Sequence, residues 1–288
     1  VIADNKITEQ QDRAAEELLN LIDLRFRVGR DLFEEYNLSF LQLTTFYINT
    51  LHHYFWDGEY TRRAWERIDE HIGHFLEDDH NVVLMSDHGS TRIEYSFHIN
   101  SWLESQGYLS TDPGISQTLH RLGFTTSRLG GIVSRLGLRN AVVSMIPDQF
   151  LRRIPSDSGE VSKSGKAAAI DWADTRVIAS GQGPVYLTED RDTDAFEALR
   201  SELIAKLDAL DAPDGETVAE AVHRVEDVYS GPYMDEAPTV LIEQRDGIHI
   251  PGDVGRDSVF TKPSDDDWLG ENKRRGLFAA TGPDFASG

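Results

Sequence analysis

The chain has 288 residues, room for one large domain or two small ones at the usual ~100–200 residues each. Its 50 acidic residues (29 Asp, 21 Glu) outnumber 28 basic ones (22 Arg, 6 Lys), and the formal charge of −22 repels a phosphate backbone, which argues against a nucleic-acid duplex as partner. The absence of cysteine excludes disulfides, thiolate metal sites and a thiol nucleophile.

Surplus acid with scarce lysine suits a halophilic setting, where the Debye length falls to about 3 Å at 1 M salt; an ordinary acidic protein is the alternative. An apolar share of 39% still builds a core. No apolar run approaches the ~20 residues that span a bilayer, and no secretory pattern appears, so a cytoplasmic location is expected. The chain opens Val1-Ile2-Ala3 without Met, as a piece of a longer protein would. Composition leaves the oligomeric state open.

Residues 8–36 carry an apolar stripe (Leu18, Leu19, Ile22, Phe26, Phe33) among many charges and predict a long helix. Residues 41–48, LQLTTFYI, are rich in β-branched and aromatic side chains and predict a buried strand. Helical spacing returns over 61–76, with Ala64, Ile68, Ile72 and Phe75 on one face. The short apolar run 81–86, NVVLMS, predicts a strand of a parallel sheet covered on both faces. A short helix over 97–106, ended by Gly107, follows. Residues 110–168 break the pattern and read as an inserted cap or linker, with a loop at 155–165. Strands near 176–180 and 184–188, a helix over 194–210, and strands near 239–243 and 277–280 complete the alternation. Alternating strands and helices predict an α/β fold, with core parts 1–109 and 169–288 flanking the 110–168 insertion and sharing one sheet.

Three constellations could carry chemistry. Asp87-His88-Gly89 follows the 81–86 strand directly, where open α/β sheets bind ligands. A carboxylate and an imidazole there suit a divalent metal, and an aspartate capping the next turn beside an incidental histidine is the alternative. Asn49 and His53, four apart, share a face if a helix begins there, with Tyr54, Phe55 and Trp56 around them; a structural histidine among aromatics is the competing reading. Asn272-Lys273-Arg274-Arg275-Gly276 places three adjacent cations in an acidic chain, an attraction for an anionic ester or else a solvated turn. His71 and His74, three apart on the 61–76 helix, read as a solvated face rather than a metal pair. His80, His98, His120, His223 and His249 have no partner at ligand spacing.

The order of these pieces is more specific than any one of them. Asn49-x-x-x-His53-Tyr-Phe-Trp56, VVLMSDHG (82–89), INSWLESQGYL (99–109), IDWADTRV (170–177), VEDVYSGPYMDEAPTVLIE (225–243) and RRGLFAATGPDF (274–285) together resemble the alkaline-phosphatase superfamily. The closest likeness is to the type I phosphodiesterase/nucleotide pyrophosphatase branch, which includes the predicted phosphohydrolase/phosphomutase proteins. The resemblance implies a three-layer α/β/α sandwich with a mainly parallel sheet and an inserted cap. It implies a two-metal site and the hydrolysis of small anionic phosphoesters.

Asp87 and His88 match the family's Asp-His metal pair, and His53 matches the histidine that follows a ligand aspartate. Asn49 stands where that aspartate is expected, and Asn272 where a distant histidine is. Lys273 and Arg274 match no ligand and are candidates for binding the substrate. The Thr or Ser nucleophile and an earlier aspartate have no counterpart and are expected upstream of Val1. The implied cofactors are two divalent ions, Zn²⁺ or Mn²⁺/Mg²⁺, or only one retained, because amide oxygens are neutral, weak ligands. Two alternatives to a hydrolase stay open: a degenerate relative that binds or scaffolds, and a phospho-group transferase or mutase using the same site.

Overall fold

The computed structural model describes residues 2–76, 80–111, 170–264 and 267–285, so the expected cap lies outside them from residue 112 onward. The chain divides into two compact units, Val1–Ile93 with Pro263–Gly288, and Glu94–Lys262.

In the first unit three helices, α1 (Ile2–Glu35), α2 (Tyr47–Phe55) and α3 (Glu59–Leu76), share a core. α1 buries Ala15, Leu19, Ile22 and Phe26, a spacing that makes one stripe on a helix of 3.6 residues per turn. Leu51 of α2 and Ala64 and Ile68 of α3 close on it. At the rim of this core, Arg67 reaches Asp23 at 2.6 Å and Arg63 reaches Glu16 at 2.5 Å, joining α3 to α1. The reading of His71 as part of a solvated face needs correcting: its side chain is only 15% exposed, its Nε2 lies 3.1 Å from Asp23 Oδ1 and its ring stacks on Phe26, a core residue of α1.

Both predicted helices are present, each starting earlier than expected. The strand predicted over 41–48 is not: residues from Tyr47 onward belong to α2, and 41–46 alternate half-buried and exposed without a strand partner among the described residues. β-branched and aromatic content meets the local requirement for a strand, but a ladder also needs a neighbour.

The rest of this unit is a ribbon. β1 (Val82–Met85) pairs antiparallel with β11 (Phe278–Thr281), and β2 (Gly89–Arg92) pairs antiparallel with β10 (Gly270–Lys273). The expectation for 81–86 therefore needs correcting. It holds a strand, but an antiparallel one with an open face, on which Met85 is 74% and its partner Phe278 73% exposed. A short apolar run looks the same in sequence whether one face or both are covered.

In the second unit β3 (Tyr95–Phe97) lies between β8 (Ile248–His249), its parallel neighbour, and β9 (Phe260–Thr261), its antiparallel one. A second sheet has the order β4 (Val177–Ala179), β5 (Pro184–Leu187), β7 (Val240–Gln244), β6 (Ala219–Arg224), antiparallel throughout. α4 (Ile99–Ser105) and α5 (Asp194–Asp208) supply Ile99, Leu103, Leu199 and Leu203 to a core with Phe97, Val177, Val185, Val240 and Ile248. The hydroxyl of Thr193 caps α5 by accepting from Phe196 N at 3.2 Å, and Gly107 turns the chain after α4 at φ +75°. Mixed helix and strand content agrees with an α/β fold. The mainly parallel sheet is not what the described ladders form, since β3–β8 is their one parallel pair.

A buried ionic link fastens the second unit. His98 Nδ1 lies 3.0 Å from Asp253 Oδ1 and its Nε2 lies 2.9 Å from Thr261 Oγ1, while Arg256 Nε donates to Asp253 Oδ2 at 2.6 Å. Burial pulls the Asp253 carboxyl upward, but the hydrogen bonds and charges of His98 and Arg256 outweigh it and hold the group below its ordinary value. A carboxyl lowered on folding contributes stability above its unfolded pKa, near 3.9, and loses it as pH falls through the folded value. Asp253→Asn is therefore expected to cost about 2 kcal/mol at pH 7 and to flatten the acid limb below about pH 4. Urea unfolding between pH 3 and pH 7 checks this; an unchanged acid limb would remove Asp253 from the account.

Candidate functional site

The β1–β11 and β2–β10 pairs form one interrupted antiparallel ribbon, and the interruption holds the Asp-His pair. Three residues, 86–88, separate the two ladders on one side, and four, 274–277, on the other. Ser86 continues the first ladder: its N–H donates to Leu277 O at 3.0 Å and its Oγ accepts from Leu277 N at 2.7 Å. The extra residue therefore falls within 274–276, opposite Asp87 and His88. A one-residue excess of this kind is a β-bulge, which twists the strand and re-aims side chains.

Two glycines permit the crossing. A Cβ on Gly89 would stand 2.0 Å from Arg275 O, and one on Gly276 would stand 2.7 Å from Ser86 Oγ. Only a residue without a side chain lets backbones approach this closely. Asp87 and His88 are thus held between two pinned points rather than on a free loop.

Their geometry suits a cation. His88 Nδ1 lies 2.9 Å from Gly89 O, an atom that only accepts, so the ring donates there and leaves the lone pair on Nε2. That nitrogen is 3.6 Å from Asp87 Oδ1. Two ligands about 2.1 Å from one tetrahedral ion are about 3.4 Å apart, so the pair is near the spacing of two corners of a metal shell. Asp87 is open to solvent, its side chain 87% exposed against 27% for His88.

Lys273 is brought to the same place, because the Cγ and Cε atoms of its stem lie 3.0 Å from a Cβ built on Gly89. Arg274 and Arg275 follow it on the bulged side, both exposed. The run of three cations therefore flanks the Asp-His pair rather than forming a remote turn.

Asn49 and His53 pack on β10 through Gly270, two residues before Asn272. His53 Nδ1 lies 2.7 Å from Gly270 O and so carries the proton, and its Nε2 accepts from Asn49 Nδ2 at 3.2 Å. The ring also stacks on Trp268 at 4.1 Å. Both nitrogens of His53 are engaged, so it offers no lone pair to an ion. Neighbouring His52 accepts from Trp65 Nε1 at 3.1 Å, and its pKa is lowered by burial first and by His53 second. Asn49 Oδ1 and Asn272 Oδ1 are buried and have no hydrogen-bond partner among the described residues.

Asp87 and His88 are spaced as two ligands of one ion would be, whereas both ring nitrogens of His53 are already hydrogen-bonded. Among the described residues no three His, Asp or Glu side chains group closely enough to hold a metal.

Sequence reasoning missed the link between His98, Asp253 and Thr261, whose members lie 155 and 163 positions apart, a separation that leaves no local signal. It also missed the buried Glu271, whose Oε1 accepts from Asn272 N at 2.9 Å. The glycines at 89 and 276 carried the one readable hint, since each adjoins a candidate residue.

A family model described as type I phosphodiesterase / nucleotide pyrophosphatase matches residues 3–267. No curated protein and no solved structure matches the chain significantly.

Proposed function

The chain belongs to the type I phosphodiesterase / nucleotide pyrophosphatase family, and on that premise we propose that it hydrolyses a small anionic phosphodiester at the Asp87–His88 bulge, with one divalent ion. The observation that carries this is the 3.6 Å separation of two electron-pair donors, His88 Nε2 and Asp87 Oδ1, with only a proton or a cation able to lie favourably between them. A divalent ion held there supplies charge neutralisation and polarisation of a phosphoryl oxygen. Lys273 is assigned to a non-bridging phosphate oxygen, a role supported by the approach of its stem to Gly89. Arg274 is assigned to the substrate's outer charge, since a net −22 would otherwise repel an anion. The attacking hydroxyl is assigned to a Thr or Ser upstream of Val1.

A second reading has one specific observation in its favour. The bond from Asn49 to His53 turns what would be a ligand pair into a neutral clip, as expected of a relative that binds without turnover. The two are separated by assaying the full-length gene product on bis(p-nitrophenyl) phosphate and p-nitrophenyl phosphate, before and after chelation. The hydrolase reading expects cleavage of the diester, loss on chelation and recovery with Mn²⁺. Binding of a nucleotide without cleavage, whatever metal is supplied, would overturn it in favour of the second.

A further inference from the structure

α1 carries two apolar stripes, and the core takes one of them. Ala15, Leu19, Ile22 and Phe26 are buried against α2 and α3. Leu21, Leu24, Val28, Leu32 and Tyr36 recur at steps of three and four, about a third of a turn around the helix, and stand 38–63% exposed. Single apolar residues scattered on a surface need no explanation, but a periodic run about 22 Å long is a continuous contact surface. Residues 24, 28, 32 and 36 make one i±4 ridge, with grooves on both sides that receive side chains from a partner.

The stripe is flanked by cations in an acidic protein. Between residues 21 and 32 the exposed charges are Arg25, Arg27 and Asp31, with Arg30 half-buried beside them. Asp23 is turned to Arg67 and His71. Over this stretch the sign is opposite to the chain's net −22.

The complementary composition occurs at residues 226–236, EDVYSGPYMDE, which hold four acids and no base. Val228, Tyr229 and Tyr233 are 47%, 59% and 76% exposed, and Asp227, Asp235 and Glu236 stand exposed around them. The segment is fastened at its ends: Arg200 Nη1 pairs with Glu226 Oε1 at 2.7 Å, and Arg191 donates to Met234 O at 3.3 Å and to Ala237 O at 2.5 Å. Two aromatic rings on a segment fixed in this way can be buried by a partner at little cost in chain entropy.

We propose that two copies of this chain associate head to tail, with the 226–236 segment of one seated on the α1 stripe of the other. Apolar side chains meet apolar ones, and the acids of the segment face Arg25 and Arg27. Stripe on stripe would bring the arginines of both copies together, and segment on segment would oppose acids, so charge selects the mixed contact. Such a contact is heterologous: each copy uses one surface and leaves the other open, and assembly continues past two chains or closes into a ring. It does not depend on the phosphoester reading, because neither surface includes Asp87, His88 or Lys273.

Light scattering of the full-length protein after size exclusion, at about 0.1 mM, tests it. Wild type is expected to give species of two or more chains. Val28→Glu puts a carboxylate in the stripe and Tyr233→Ser removes a ring from the segment; each alone is expected to be monomeric. Mixed in equal amounts, they are expected to form a species of two chains and no larger, because one variant keeps the segment and the other keeps the stripe. Arg27→Glu is expected to weaken the wild-type association about tenfold. Circular dichroism checks that each variant is folded, and Leu24→Ser replaces Val28→Glu if that variant is not. A monomeric wild type would overturn the proposal and leave the stripe to another segment or a different partner. Association that survives Val28→Glu would overturn it by placing the contact elsewhere, and association that survives Tyr233→Ser would overturn it in favour of stripe on stripe. Mixed variants that stay monomeric would rule out the head-to-tail contact.

Discussion

Asp87→Ala and His88→Ala are each expected to lower kcat/KM for a phosphodiester by about 10²–10³-fold, the usual scale for removing a group that stabilises developing charge. Their side chains make few supporting contacts: Asp87 is largely in solvent, and the bond from His88 Nδ1 is to its own neighbour's carbonyl. The melting temperature should therefore stay within about 2 °C of wild type for Asp87→Ala, since exposed substitutions usually cost under about 0.5 kcal/mol, and fall by no more than about 4 °C for His88→Ala, whose side chain is 27% exposed. The pairing of lost turnover with kept stability separates a ligand from a turn cap. An aspartate acting only as a cap would show the reverse, with weakened folding and turnover reduced only in proportion to the folded fraction. Steady-state kinetics on the full-length protein, read beside a melting curve, decide between them.

The second large effect concerns a residue with no side chain. Gly89→Ala places a methyl group 2.0 Å from Arg275 O, a backbone atom that cannot swing aside. The two strands must part at the bulge, at a cost of about 3 kcal/mol, and Asp87, His88 and Lys273 lose their common frame. Turnover is expected to fall at least as far as in His88→Ala. Gly73→Ala is the natural control, because nothing lies within 4 Å of its added methyl and the position is inside α3. That substitution should stabilise the protein by about 0.5–1 kcal/mol. Chemical unfolding of the two variants therefore predicts opposite signs. Equal, small effects would mean that the close approach at Gly89 is not needed.

Elements whose formation is local were the ones readable from the chain. α3 was legible because Ala64, Ile68 and Ile72 recur at helical spacing, and α5 because Thr193 caps a run with good helix formers. β2, reading Gly-Ser-Thr-Arg, and β10, reading Gly-Glu-Asn-Lys, have little intrinsic strand preference. They are strands because each is the other's partner, with pairs running from Arg92↔Gly270, 178 positions apart, to Gly89↔Lys273, 184 apart. Such pairing cannot be inferred from either segment alone.

The same asymmetry governs the site. Asp87 and His88 are adjacent in sequence and stand out as a pair. The approach of Lys273 to Gly89 and the excess residue on the 274–277 side depend on long-range register. Asn49 and His53 were correctly placed on one helix face, but that they bond to each other was not legible. An amide at position 49 can present its oxygen to an ion or its nitrogen to an imidazole. The carbonyl of Gly270 decides the matter, by fixing the proton on the far side of the ring.

The central claim is that one divalent ion belongs to this protein and that Asp87 and His88 hold it. Elemental analysis of the full-length gene product, after saturation with Mn²⁺ and removal of free ions, tests this most directly. The account predicts one divalent ion per chain, retained in Asn49→Ala and lost in both Asp87→Ala and His88→Ala. Two ions per chain, or one that persists without Asp87 and His88 and disappears with Asn49, would contradict it.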